Sequence, residues 1–415
     1  MRPTFTLAVL LGALVGCGRT MPEQPAPSGE PEYLYLWTAA ADSSSPDYLA
    51  VVDVTDRGER YGRIVATLPV PGRANVPHHT EHEMPADGRL FANGFGSGKT
   101  WIFDLTDPTA PRLAGELADV AGYTHPHSYL RLPGGNVLAT FQMRHDATGM
   151  RPGGLVELTG DGRVVRSGSA DAPGLDPATR VYSAGVVPAL DRIVTTTTDM
   201  TGRSEASRQL QIWRLSDLSL LTTIVLPDGP AGDESILTAE PRVLADGKTV
   251  LVSTFSCGLY LLEGLDTGAP SVRLVASFPK EDRTYCAIPV IAGNYYLVTV
   301  PAYNAVVSLD ISDPAHPREV SRLTLGEGDV PHWIAISPDH RRVAVTGYGA
   351  MLNRVVLAEF DAASGLLSLD RRFGVPDPAR PGLVIEGVPH GAVFSRRQDH
   401  GPAPVPSSSP PRPDR

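Results

Sequence analysis

Proline–histidine pairs recur along this chain, each opening a short apolar run, and their recurrence restricts it to a fold assembled from repeated units. The four segments are Val76-Pro77-His78-His79, Thr124-His125-Pro126-His127, Val330-Pro331-His332-Trp333 and Val388-Pro389-His390-Gly391. Three of the histidines stand six residues ahead of another proline: His79 before Pro85, His127 before Pro133 and His332 before Pro338. The same count back from Pro188 gives Tyr182. Side chains at equivalent points of a repeat meet in space only if the repeat closes on itself.

The unit has a period of roughly 40–50 residues. Thr100-Trp101-Ile102-Phe103-Asp104-Leu105-Thr106-Asp107-Pro108 and Ala305-Val306-Val307-Ser308-Leu309-Asp310-Ile311-Ser312-Asp313-Pro314 are two copies of one pattern. Each reads as a strand, an Asp-Pro turn and a following strand. Both resemble the LVIVD repeat, which is associated with propellers. Helical periodicity is weak throughout. The expected fold is therefore all-β, a seven-bladed β-propeller over residues 32–398, with inner strands starting near His79, His127, Tyr182, Glu240, Cys286, His332 and His390. Each of the first six is followed by an apolar second strand, for example Leu90-Phe91-Ala92-Asn93 and Arg342-Val343-Ala344-Val345-Thr346. The first blade lacks an inner strand of its own, and the C-terminal Pro389-His390-Gly391-Ala392-Val393-Phe394 has no later strands to join. The C-terminal strand is thus expected to close the ring in blade one, which removes exposed edges.

The ends of the chain read differently. Residues 1–16 have the shape of a signal peptide, too short to span a bilayer as a mature helix. Leu14-Val15-Gly16-Cys17 is a lipobox pattern that makes Cys17 the lipidated residue. Residues 17–31 read as the lipidated cysteine and a flexible tether, and 399–415 as a disordered Pro/Ser tail. The expected location is that of an exported bacterial lipoprotein, on the outer membrane facing the periplasm or on the cell surface. Contact with membrane is expected only through the N-terminal lipid. A formal charge of −10 and the lack of any basic run exclude nucleic acid as a partner. Cys257 and Cys286 are left as a disulfide, as two free thiols, or with Cys286 as a channel ligand.

Inner strands of a propeller surround its central channel, so the in-register residues should form a ring in the order His332, His390, His79, His127, Tyr182, Ala239 or Glu240, and Tyr285 or Cys286. Four consecutive blades then supply imidazoles to one side of the channel. Imidazole donors without thiolate favour copper, with zinc as the alternative. His78 and His125 add further candidate ligands, His125 because it lies two residues from His127 along a strand. Glu81 and Glu83 are candidate carboxylate ligands or acceptors for imidazole N–H groups. A catalytic base would be Glu81, Tyr182 or Glu240, with nothing in the sequence to choose among them. Gly94-Phe95-Gly96-Ser97-Gly98-Lys99-Thr100 half resembles a phosphate loop but precedes a strand, so it reads as a β-turn.

Three of these segments together are similar to the selenium-binding protein and methanethiol oxidase family: His78-His79, the run from His127 to Gly135, and the late Pro-His strand. The resemblance implies a seven-bladed propeller, copper-dependent and exported in its bacterial enzymes. It also implies that His78 or His79, His127, His332 and His390 are metal ligands. The family's His-x-x-His motif is reduced here to His127-Ser128-Tyr129-Leu130, and its N-terminal cysteine segment is absent. The leading expectation is an oxidoreductase acting on a small molecule such as a thiol, with copper passing electrons to dioxygen. A metal-dependent, lactonase-like hydrolase and a non-enzymatic propeller presenting a face to a protein partner are the rivals.

Overall fold

A computed structural model describes residues 31–396, apart from 57, 174, 177–178, 203–206, 280–284, 349–352 and 375–380. The expected leader, tether and tail lie outside the described residues, Pro31 excepted. Seven antiparallel sheets follow one another around a closed ring. Blade two is formed by Pro77–Thr80, Arg89–Gly94, Lys99–Asp104 and Arg112–Leu117, listed from the channel outward. Blades three to six repeat this order, and blade seven adds a short strand, Leu383–Val384, against Arg354 and Val355.

Sequence patterning explains why each strand takes its place. Second and third strands such as Arg89–Gly94 and Lys99–Asp104 are buried on both faces between neighbouring blades, so they read as nearly continuous apolar runs. Outer strands are buried on one face only and alternate, as in Arg112–Leu117. The core is correspondingly divided into layers between consecutive sheets. One such layer, between blades one and two, packs Tyr35, Trp37, Leu49, Val51, Leu90, Trp101 and Phe103. Two of the four tryptophans also tie one blade to the next. Trp37 Nε1 donates to the Asn93 carbonyl at 2.7 Å and Trp333 Nε1 to the Ala392 carbonyl at 2.8 Å.

The ring closes as expected. Val388–Phe394 is the inner strand of blade one, paired antiparallel with Tyr33–Ala39 through Leu34↔Phe394 and Leu36↔Ala392. The seam is reinforced where the Tyr33 N–H donates to Ser395 Oγ at 2.9 Å. Two inner strands begin later than the sequence suggests, at Ala184 in blade four and Pro289 in blade six. In blade six the Cys286 N–H turns to the Phe255 carbonyl of the preceding blade, at 3.0 Å, and so leaves its own ladder.

Candidate metal centre

Each histidine-bearing inner strand carries a β-bulge, and the histidines sit inside it. In blade two the register passes from Pro77↔Gly94 to Thr80↔Ala92, so His78 and His79 oppose the single residue Asn93. In blade three His127 and Ser128 oppose Thr140. His332 is the extra residue between Pro331↔Gly347 and Trp333↔Thr346. His390 and Gly391 oppose Trp37. A bulge breaks the two-residue alternation of a strand and re-aims its side chains. This is why the adjacent residues His78 and His79 both enter the channel, where a regular strand would have sent them to opposite faces.

The second strands supply the braces. Asn93 Oδ1 accepts the His79 N–H at 2.6 Å while Asn93 Nδ2 donates to the His127 carbonyl at 3.3 Å in the next blade. Thr140 Oγ1 accepts the Ser128 N–H and donates to the Tyr182 carbonyl, at 2.9 and 2.7 Å. Thr299 and Thr346 donate in the same way to the carbonyls of His332 and His390, at 2.7 and 2.6 Å. Each of these side chains ties its blade to the ring residue of the next. Sequence reasoning missed them, although the signal was present: a hydroxyl or amide recurs at or near the end of an otherwise apolar second strand, at Asn93, Thr140, Thr196, Ser253, Thr299 and Thr346.

The imidazoles so placed form one cluster. Ligand atoms of His78, His79 and His127 all lie within 4.8 Å of one another, and so do those of His78, His332 and His390. His78 stacks on His79 with centroids 4.3 Å apart and on His390 at 4.1 Å. Eight of the ten ring nitrogens are buried with no hydrogen-bond partner; His127 Nδ1 is 3.1 Å from Ser128 Oγ. A plug of mutually hydrogen-bonded histidines would not leave its nitrogens so, whereas a cation coordinated by them would use those lone pairs. Burial drives the basicity of all five down: His332 to about 4, and His78, His79, His127 and His390 well below the usual imidazole value, with neighbouring imidazoles adding to the effect. Neutral rings have no proton to lose before they bind a metal. The donor set therefore fits the copper or zinc ion that imidazole chemistry implies.

Other candidate residues are placed apart from the cluster. His125 has a left-handed backbone, φ 58°, which together with the bulge cancels the expected shared face with His127. Its ring contacts Phe95 at 5.5 Å and it joins neither ligand group. Glu81 is held by Arg131 and the Phe91 N–H, and burial raises its carboxyl to about 7 against the pull of Arg131. Glu83 is exposed. Glu240 accepts from Ser183 Oγ and Arg242, both at 2.7 Å. Arg242 also donates to His82 Nε2 at 3.0 Å, and the His82 ring stacks on Trp333. Below this layer a cavity of 1040 Å³ opens on the opposite mouth, lined by the turns that follow the inner strands. Of the three candidate bases only Tyr182 touches the cluster, its ring 3.8 Å from that of His127. Burial, then Glu240, pushes its phenol far up, so it keeps its proton.

The role of Cys286 as a channel ligand is overturned. Cys257 and Cys286 form a disulfide, with Cα atoms 5.0 Å apart, which consumes both thiols.

No protein-family model matches the chain. A methanethiol oxidase from Hyphomicrobium sp is 27% identical over 348 residues, 77% of this chain and 76% of that protein. Selenium-binding protein 2 of Arabidopsis thaliana is 30% identical over 155 residues, 32% of each chain. Among solved structures, a hypothetical selenium-binding protein from Sulfolobus tokodaii superposes with a TM-score of 0.72 at 17% identity, over 89% of this chain and 94% of that one. The chain is thus similar in sequence to proteins named methanethiol oxidase and selenium-binding protein, and it shares its propeller fold with a solved structure that bears the second name.

Proposed function

We propose that this propeller is an exported, lipid-anchored oxidoreductase that oxidises a small thiol at a copper ion held by His78, His79, His127, His332 and His390. The observation that carries the reading is the cluster of five buried imidazoles with unpartnered nitrogens. The methanethiol oxidase relatives supply the thiol and the redox class. Export draws support from the leader sequence and from the disulfide, a bond that persists in oxidising compartments.

When bound there, copper would supply one-electron redox chemistry between thiol sulfur and dioxygen. The protein's own contribution is positional. Bulges aim the rings, the Asn93 and threonine braces fix the backbone behind them, and burial excludes water and keeps the imidazoles neutral. Tyr182 keeps its proton and packs against His127, so its buried, unpartnered hydroxyl is a hydrogen-bond donor within the site. The hydrolase rival calls for carboxylate ligands, and the two buried carboxylates nearby, Glu81 and Glu240, are engaged by Arg131 and Arg242 instead.

Elemental analysis of protein purified without a His tag, combined with oxygen consumption on methanethiol, tests the reading. About one copper per chain and thiol-dependent oxygen uptake are expected. Zinc, or no metal after reconstitution with copper, would overturn it.

A further inference from the structure

Three aromatic side chains stand at equivalent points of three blades, on the same end of the channel as the imidazoles. Phe95, Phe255 and Tyr348 each follow directly on the last residue of a second strand. Each backbone N–H donates to the carbonyl of a left-handed residue that leads into an inner strand: Phe95 to Val76 at 3.0 Å, Phe255 to Leu237 at 2.8 Å, Tyr348 to Val330 at 3.2 Å. Val76, Leu237 and Val330 have φ of 55°, 59° and 41°. A β-branched residue seldom adopts this conformation, least of all before a proline, as Val76 and Val330 do. Such a conformation persists only where its surroundings impose it. The arrangement therefore anchors both the start of the inner strand and the backbone of the aromatic residue beside it.

The rings reach the site itself. Phe95 lies 5.9 Å from His78 and 6.2 Å from His127. Tyr348 lies 5.2 Å from both His332 and His390. Phe255 packs on Tyr182 at 5.7 Å. Phe95 and Phe255 are half-buried and Tyr348 is 43% exposed, whereas the five imidazoles beneath are at most 6% exposed. Solvent thus meets the rings before it meets the imidazoles.

We propose that Phe95, Phe255 and Tyr348 form a collar that admits only small, uncharged molecules to the imidazole cluster, with Tyr348 setting the size limit. As a statement about substrates this rests on the oxidase reading above; as a statement about access it does not. An apolar collar penalises any ligand that must shed its hydration shell to pass, so a charged thiol is rejected on desolvation and a bulky one on shape.

Two measurements on the full-length protein test this. Metal-free protein is treated with diethyl pyrocarbonate, a small uncharged reagent that acylates neutral imidazole, and labelling rates are mapped by mass spectrometry. Tyr348→Ala is expected to speed labelling of His332 and His390 by about tenfold or more, and Phe95→Ala that of His78 and His127. Exposed His316 serves as the internal standard, and Tyr348→Phe retains wild-type rates. Copper-loaded protein is then compared on methanethiol and phenylmethanethiol. Tyr348→Ala raises the bulky-to-small ratio of kcat/KM by about tenfold, and Tyr348→Phe does not. Unchanged labelling in both alanine variants overturns the collar, whether or not thiols are oxidised. Altered labelling in a protein that oxidises no thiol leaves the collar standing and removes the oxidase reading.

Discussion

A buried imidazole without a hydrogen-bond partner costs roughly 1–3 kcal/mol in lost solvation, so the concentration of such groups at one point needs a compensating ligand. In His332, as in His79 and His390, neither nitrogen is paired. His332→Ala is expected to lower metal content, measured by elemental analysis. It should change the stability of the metal-free protein by less than about 2 kcal/mol, because the lost packing is offset by the loss of two unsatisfied nitrogens. The same rings set a pH dependence. Their folded values lie below the ordinary 6.5, so the unfolded chain binds more protons as acid is added. Metal-free protein should therefore hold this stability above about pH 6.5 and lose it as pH falls toward 4, with His332 alone worth roughly 3 kcal/mol. Urea titrations at pH 7.5, 6, 5 and 4 check the slope; a midpoint independent of pH would contradict it.

At the scale of the element, the bulge and its brace decide where a ring points. Thr346→Val removes the hydroxyl that holds the His390 carbonyl and keeps the side chain's shape. The expected cost is about 1–2 kcal/mol, with weaker metal binding in a competition assay, while a distant threonine on an outer strand shows neither effect. The left-handed residues offer a change of opposite sign. Val76 is 43% exposed, so its side chain contributes little packing. Val76→Gly should raise thermal stability by about 0.5–1 kcal/mol by relieving its backbone. The disulfide between Cys257 and Cys286 joins a turn of blade five to the approach to blade six, across a sequence separation of 29. Replacing both by serine is expected to lower stability by about 3 kcal/mol in denaturant melts.

For the whole molecule, closure and site assembly are one event. The strand Val388–Phe394 completes blade one and delivers His390, so the cluster forms only once the two ends of the described chain have met. Ending the chain before Val388 removes an inner strand, exposes the edge of Tyr33–Ala39 and deletes a ring residue together. Aggregation or cooperative loss of structure, seen by size-exclusion chromatography and circular dichroism, is the expected result. A monomeric, fully folded truncation would show that closure is dispensable.

Much of this was legible in the residues alone. The repeat period, the Asp-Pro turns and the apolar second strands determine the propeller, because alternation and turn chemistry are local properties that a sequence displays directly. The unpaired C-terminal strand made ring closure legible too, and the in-register prolines picked out His79, His127, His332 and Tyr182. Tertiary structure decided the rest. Whether His78 joins His79, whether His125 shares a face with His127, and whether Cys286 faces the channel all depend on bulges and left-handed residues that break strand alternation without changing the apolar pattern. Glu81 reads in sequence as a candidate ligand or base and Glu240 as a candidate base, yet both are held by arginines in space: Glu81 by Arg131 of the next blade, and Glu240 by Arg242 two residues along its own strand. A sequence shows which side chains a repeat can bring together; only the packed ring fixes which way each one points.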